Sequence, residues 1–385
     1  MKYSNTILHQ LLKHLPRYQF QKAVTRHQGD RRIRTLSCWN QMVALLFGQL
    51  SGRQSLRDVV TGFNSKRAYH YHLGVSVIKR SSLSDANNKR PAAIFTETFF
   101  YLLSKIRNHL PKSAPQEMIR LIDATTIDLN LNQFKWAQFR STKSGIKLHT
   151  VYDPEAEIPV YFAMTNAKMS DRRGLDKLPI LPGMTYVVDR AYDDYRWYYE
   201  LTQMNSTFVG RMKSSACYVV LEQHVPKGLG ILSDETIMFA GKKAKANCPI
   251  PLRRISFMRQ GDQKMLVFIT NDFNRSAAEI AALYKQRWQV ELFFKWIKQN
   301  LKIKTFLGRS ENAVRIQILT AMIAYLLLKL TQLAGQYSAS LQTMSRLVGL
   351  NLTSRCSMHE LFETDKYKKT ATKPLPQMTL ALVHA

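Results

Sequence analysis

The sequence predicts an α/β protein, a mixed sheet with helices, preceded by a helical basic segment and followed by more helices. Three changes of texture predict it. From Met1 to about Arg107, apolar residues recur at helical spacing among basic ones and no strand pattern intervenes. From Met118 onward three β-like runs follow one another closely, MIRLIDATTIDL, GIKLHTVYD and IPVYFAMTN. From Ser310 the helical pattern returns.

The bulk numbers agree with this division and add a partner. A chain of 385 residues with 45% hydrophobic content can bury a large core and fill two or three domains. Its 56 Lys and Arg against 27 Asp and Glu leave a net charge of +29, which favours a polyanion, nucleic acid first. Residues 1 to 115 hold 19 Lys and Arg and only 4 Asp and Glu, so half of the excess lies in under a third of the chain. That asymmetry predicts a DNA-gripping segment at the N-terminus. Cys38, Cys217, Cys248 and Cys356 lie too far apart for a zinc cluster or a disulfide framework. The first twenty residues are broken by His and charges too early for a signal peptide, and the longest apolar run, Ile318 to Leu328, is too short to span a bilayer. A reducing cytoplasm and no membrane are expected.

In the basic segment, Ser55-Leu56-Arg57-Asp58 has the form of a capping box opening the helix LRDVVTGF, and Ser84-Asp85 offers a second helix start. The runs Arg31-Arg32-Ile33-Arg34 and Lys79-Arg80 suit phosphate contacts better than base reading. Two prolines in NHLPKSAPQE put a boundary near residue 112. After the three β-like runs, with Asp153-Pro154 and Pro159 as turns, come a short helical segment RGLDKLPIL, a buried strand TYVVD, a helix around DDYRWYYELTQ and a strand TFVGRMK. Residues from about 214 to 270 are strand-rich, carry a basic loop KKAKANCPIPLRR, and read as an interruption of the sheet. The tail after Lys366 reads as loosely ordered.

The chemistry concentrates in YKQRWQVELFFKWIKQN. At about 100° per residue, Tyr284, Arg287, Glu291 and Lys298 fall within roughly a 60° arc of one helix face, opposite Leu283, Val290, Phe293, Phe294 and Ile297. A carboxylate is thus flanked by an arginine, a lysine and a phenol. A salt-bridged helix with Glu291 and Lys295 at i,i+4 would account for the charges. It leaves unexplained Asp123 and Asp189, each closing an apolar run far upstream; Asp128, Asp153, Asp171, Asp193 and Asp194 are rivals for the same role, the last two looking like the N-cap region of the following helix. Cleaving a phosphodiester needs an activated water, a stabilised leaving oxygen and compensation for charge on phosphorus, which two magnesium ions about 4 Å apart supply. Mg²⁺ takes oxygen ligands, so Asp123 and Asp189 at adjacent strand ends, with Glu291 on a helix across the sheet, make a coherent ligand set.

Position by position, the Y-x2-R-x3-E-x6-K spacing of Tyr284, Arg287, Glu291 and Lys298 resembles the signature of the DDE transposases of bacterial insertion sequences, specifically the family numbered four. IDATTI around Asp123, VVDRAY around Asp189 and the strand GIKLHTVYD are similar to that family's motifs, and the likeness covers about residues 116 to 330. The resemblance implies an RNase H-like core over residues 113 to 330 with a β-rich insertion before the glutamate helix, a DNA-binding domain over 1 to 112, and a helical C-terminal region over 331 to 385. It further implies a homodimer that pairs two ends of double-stranded DNA and cuts and pastes them through a hairpin. Mg²⁺, with Mn²⁺ as substitute, would act as two ions held by Asp123, Asp189 and Glu291. Arg287 and Lys298 would hold phosphates, Tyr284 would add a hydroxyl contact, and Trp288 would line a flipped-base pocket. The insertion has no tryptophan, so Phe239, Phe257 and Tyr218 are the candidates for stacking on that base. Two other readings are an RNase H-like nuclease or resolvase and a catalytically silent DNA-binding relative. Retention of all three carboxylates speaks against the silent relative, and the insertion and basic segment against the resolvase.

Overall fold

The computed structural model describes residues 4–110, 118–261, 263–300 and 306–363. The proposed boundary near residue 112 and the tail after Lys366 lie outside them.

Residues 4–110 form only helices: α1 (Ile7–Leu12), α2 (Arg17–Arg26), α3 (Cys38–Leu50), α4 (Leu56–Asn64), α5 (His70–Leu73), α6 (Arg80–Lys89) and α7 (Ala93–Arg107), with one 3₁₀ turn. Ser55 caps α4 as the sequence predicts, its hydroxyl accepting the Asp58 N–H at 3.1 Å. The second predicted start is corrected: Ser84 and Asp85 lie inside α6, which opens at Arg80 because Leu83, Ala86 and Asn87 extend one buried stripe across that region.

Burial on nearly all sides marks α3 as a core helix, and the same holds for α13 (Glu311–Gly335), capped by Ser310. By length and hydropathy α13 could cross a membrane, but 94% of its apolar window is buried inside the protein. It packs against α1, α3, α6 and α7, and α14 (Leu341–Asn351) and α15 (Met358–Phe362) complete the layer. The two ends of the chain meet there: the Ile7 N–H donates to the Ser354 carbonyl at 3.1 Å and the Leu8 N–H to that of Leu352 at 2.9 Å. The C-terminal helices α14 and α15 thus pack with those of residues 4–110 in one helical layer.

The second body is a single ten-stranded sheet. Its strands are β1 (Ile119–Leu129), β2 (Gln138–Arg140), β3 (Lys143–Asp153), β4 (Ile158–Asn166), β5 (Thr185–Val188), β6 (Thr207–Arg211), β7 (Tyr218–His224), β8 (Ile231–Phe239), β9 (Leu252–Arg259) and β10 (Lys264–Thr270). Strands β4, β3 and β1 form an antiparallel meander, and β5 and β6 follow in parallel beyond β1, the RNase H-like order. A short helix α8 (Asp171–Gly174) precedes β5, and α9 (Tyr195–Gln203), capped by Asp194, makes the crossover from β5 to β6.

The insertion extends the sheet and does not interrupt it. β10 pairs antiparallel with β6, so the order runs on through β10, β9, β8 and β7 at the far edge. Part of the predicted basic loop is helical, α10 (Lys242–Asn247), because Lys-Lys-Ala-Lys-Ala are good helix formers before Pro249. From β10 the chain enters α11 (Ala277–Gln286), opened by a capping box between Ser276 and Glu279, and then α12 (Trp288–Asn300).

Candidate active site

The register of the sheet brings the two aspartates together. β1 and β5 run parallel with Ile122 beside Val188, so the next residue of each strand is Asp123 and Asp189. Asp189 does end its strand and caps the turn that follows, its Oδ1 accepting the Arg190 N–H at 2.6 Å. Asp123 does not: β1 continues to Leu129, because its pairing with β3 persists from Leu121 to Leu129. Beyond Ile122 the edge of β1 toward β5 is open, and the cleft forms there.

The predicted single helix is two. Arg287 ends α11 and Trp288 opens α12, which packs against β1. Val290, Phe293, Phe294 and Ile297 are buried, with the Phe293 ring 5.1 Å from that of Tyr152 and 5.2 Å from that of Tyr325. This packing turns Glu291 toward the aspartates. Arg287 donates from Nη1 to Asp123 Oδ2 at 3.0 Å and from Nη2 to Glu291 Oε1 at 2.5 Å, while the Tyr284 hydroxyl donates to Asp189 Oδ1 at 3.3 Å. A cleft of about 480 Å³ is lined by all three carboxylates together with Arg287, Lys298 and Thr125, and Lys295 and Gln299 stand at its wall.

Its electrostatics follow from burial. Desolvation pushes the Asp123 carboxyl up to about 6; Arg287 and the Ala124 N–H oppose that, and Asp189 and Glu291 add to it. The Tyr284 phenol is pushed up to about 12 by burial and then by Asp189. Burial works against the Arg287 charge, yet Tyr284, Glu291, Asp123 and Asp189 together raise its pKa. Among the described residues, no three Asp, Glu, His or Cys side chains stand as a ready metal cluster, because Asp123 and Glu291 share the guanidinium between them.

The ion pair of Glu291 is with Arg287, one turn before it, and not the alternative pair with Lys295. Four of the five rival aspartates are engaged elsewhere: Asp153 pairs with Arg120, Asp171 with Lys147 and Asp193 with Lys213, and Asp194 caps α9; Asp128 is exposed near the end of β1. Trp288, at the start of α12, is 58% exposed and is not among the residues that line the cleft. Phe239 is excluded as a base-stacking residue, being 2% exposed with its ring 4.2 Å from that of Tyr195; Phe257 and Tyr218 are half-buried. Sequence reasoning missed Thr125, which the two-residue strand period puts on the face of Asp123, and Tyr192, whose buried hydroxyl lacks a partner and whose pKa is raised by burial and then by Asp123.

Comparison with known proteins gives this geometry a context. Residues 3–76 match a domain of unknown function (DUF4372), and residues 114–327 match the family described as transposase DDE domain. A putative transposase (y4zB) of Sinorhizobium fredii is 40% identical over 253 residues, which are 64% of this chain and 70% of that one. A probable transposase for insertion sequence element IS5377 of Geobacillus stearothermophilus is 30% identical over 258 residues, 65% of this chain and 66% of its own. Among solved structures, a piggyBac transposase synaptic complex with hairpin DNA aligns with 98% of this chain and 87% of its own, at 11% identity and a TM-score of 0.44. With the DDE match spanning more than half of its length, the chain belongs to the transposase DDE domain family, the transposases of bacterial insertion sequences.

Proposed function

We propose that Asp123, Asp189 and Glu291 are the catalytic carboxylates of an insertion-sequence transposase of the family numbered four, which cuts double-stranded DNA at the ends of its element and joins the freed ends to a target through a hairpin. Family membership carries DNA as partner and a divalent metal as a requirement; Mg²⁺, with Mn²⁺ as substitute and two ions per site, is the finer reading. The observation that carries the proposal is the approach of three carboxylates from β1, the end of β5 and α12 to one cleft.

The donor set fits a hard cation. All three candidate ligands are carboxylates, and the Asp123 carboxyl is held above its ordinary range by burial and by its acidic neighbours, a penalty that positive charge relieves. Asp123, Asp189 and Glu291 would hold the metal, which when bound supplies charge neutralisation and activation of the attacking oxygen. Everything else falls to the chain itself. Tyr284 orients Asp189 through its hydroxyl, and Arg287 keeps Asp123 and Glu291 aligned. Lys298 and Lys295, at the wall of the cleft, suit charge-assisted contacts to phosphates. The exposed Trp288 ring offers a stacking surface to an unpaired base. A homodimer would bring two DNA ends together for the joining step.

The test is to incubate the protein with DNA bearing the ends of its own element, with Mg²⁺ and with EDTA. Asp123→Asn, Asp189→Asn and Glu291→Gln are each expected to abolish cleavage and leave binding of the ends intact. Normal cleavage in Mg²⁺ by any one of them removes that residue from the catalytic set.

A further inference from the structure

We infer that the cleft between the loop Arg31–Thr35 and α6 is a docking site for the phosphate backbone of duplex DNA, holding the duplex that continues from the segment in the catalytic cleft. The inference deepens the transposase reading and rests on it for the identity of the polyanion.

The cleft has a volume of about 480 Å³ and presents the exposed side chains of Arg31, Arg32, Arg34 and Lys89, with Asp85 as the acidic residue on its lining. Four cations gathered in one concavity repel one another, and an occupant rich in negative charge relieves that. A run of basic residues on a solvated surface needs no fixed support, but this one is built on a buried polar floor. Arg90, 6% exposed, lines the cleft from below, donates from Nη1 to Gln41 Oε1 at 3.0 Å and from Nη2 to the Leu36 carbonyl, and has a buried Nε without a partner. Gln41 in turn donates to Asn87 of α6 at 2.7 Å, and Asp30 accepts the Cys38 N–H at 2.7 Å, which ties both ends of the loop to the helices beneath. Such a network is costly to desolvate and fixes geometry.

The backbone is committed as well. Gln28 and Arg32 hold left-handed φ of 52° and 58°, and Gly29 between them has no room for a side chain: a Cβ would lie 2.4 Å from Ile94 Cδ1 and 2.7 Å from Cys38 Sγ. Strain of this kind persists where surrounding structure holds it, and the result is guanidinium groups presented at set positions.

The same cleft is coupled to the catalytic body. Ser310 Oγ donates to Asn88 Oδ1 at 2.7 Å, and the Asn312 side chain donates to the carbonyls of Asn87 and Arg90 at 2.9 and 2.7 Å. These bonds join α6, which bears Lys89, to the start of α13, and the neighbouring Arg309 carbonyl accepts Trp136 Nε1 from the β1–β2 connection at 2.8 Å. Duplex lying on the loop is thereby registered against the sheet that carries Asp123.

The experiment uses the full chain in EDTA, with fluorescence anisotropy of a labelled duplex bearing the element's end, over a salt series. The triple variant R31A/R32A/R34A is compared with R57A/K66A/R67A, which removes the same charge from exposed positions on and just after α4. The loop triple is expected to lose about ten-fold or more in affinity and to lower the log–log salt slope by about 2 to 3, with the α4 triple changing both far less. Both should keep the wild-type Tm. Equal losses in the two triples, or an unchanged slope in the loop triple, overturn the inference. Because EDTA suppresses the chemistry, this outcome is independent of cleavage: failure of the carboxylate variants to stop cutting overturns the catalytic reading and leaves the binding result untouched.

Discussion

Arg287 lies 164 residues from Asp123 along the chain, yet its Nη1 stands 3.0 Å from the Asp123 carboxylate, while its second amino group holds Glu291 one helical turn on. One guanidinium thus bridges two carboxylates that would otherwise face each other across a partly dry cleft, offsetting part of their charge. Arg287→Ala should therefore cost about 2 kcal/mol of stability, less than for a fully buried pair because Glu291 remains partly exposed to solvent. Added Mg²⁺ should raise the Tm of the variant more than that of the wild type. Thermal unfolding with and without the ion checks this; an unchanged Tm and an equal metal response would show that the guanidinium does not balance these charges.

Gly174 closes over the His149 ring, and a Cβ there would sit 2.3 Å from both Cε1 and Nδ1. Gly174→Ala should destabilise the protein by about 1 to 3 kcal/mol, since the ring is enclosed and cannot retreat. Denaturant unfolding measures it, and a variant as stable as the wild type would mean that α8 moves freely off the sheet.

His149 also sets a pH dependence. Burial lowers its pKa to about 4, with Asp171 opposing and Lys147 adding to the shift, while its Nε2 stays 3.0 Å from Thr165 Oγ1. Below the ordinary value of 6.5 the unfolded chain takes up a proton that the folded chain refuses, so stability is complete above that value and declines as pH falls toward 4. Asp123, with its raised pKa, works in the opposite sense between 3.8 and about 6, the folded state holding its proton more tightly. His149→Gln should flatten the acid-side loss of stability. Unfolding midpoints measured from pH 7 to 4.5, ~half a pH unit apart, test this; an equally steep decline in the variant assigns the loss to other groups.

Lys298→Ala should lower the salt slope of binding to the element's ends by about 1, the share of a single phosphate. Binding isotherms over a salt series give the slope directly. No change would remove Lys298 from the phosphate contacts.

Trp288→Ala should leave stability within about 0.5 kcal/mol of the wild type, because the ring is largely in solvent, while slowing whatever step follows the first nick. Gel analysis of nicked, hairpin and joined products separates these steps, and a normal product distribution would show that the ring touches no base.

The helix face of Tyr284, Arg287, Glu291 and Lys298 was legible because angular periodicity is a local property, as were the strands ending at Asp189 and spanning Ile158–Asn166. The break at Arg287 was not, since nothing in Gln-Arg-Trp disfavours a helix and the turn accompanies a reach to Asp123, a long-range partner. Asp123 read as a strand end because the apolar run stops there; pairing with β3 carries the strand on through Ala124-Thr125-Thr126. The insertion read as an interruption because strand order depends on which edges meet, and β6 finds β10 only after more than fifty intervening residues. Neither Arg90 nor Gln41 advertised itself, for a buried polar floor exists only once α3 and α6 have been brought together.

The embrace of α13 by helices from the beginning of the chain has a consequence for how this protein is made. A nascent polypeptide that has released α1 to α7 from the ribosome still lacks the apolar rod they enclose, and it must wait, exposed, until the whole sheet has been synthesised. An isolated N-terminal fragment should for the same reason be sticky and poorly folded, and a protein stripped of its first hundred residues should aggregate along the bared rod. The proposed recognition of DNA ends is thus a problem for point substitution, and dissection into fragments would mostly report on solubility.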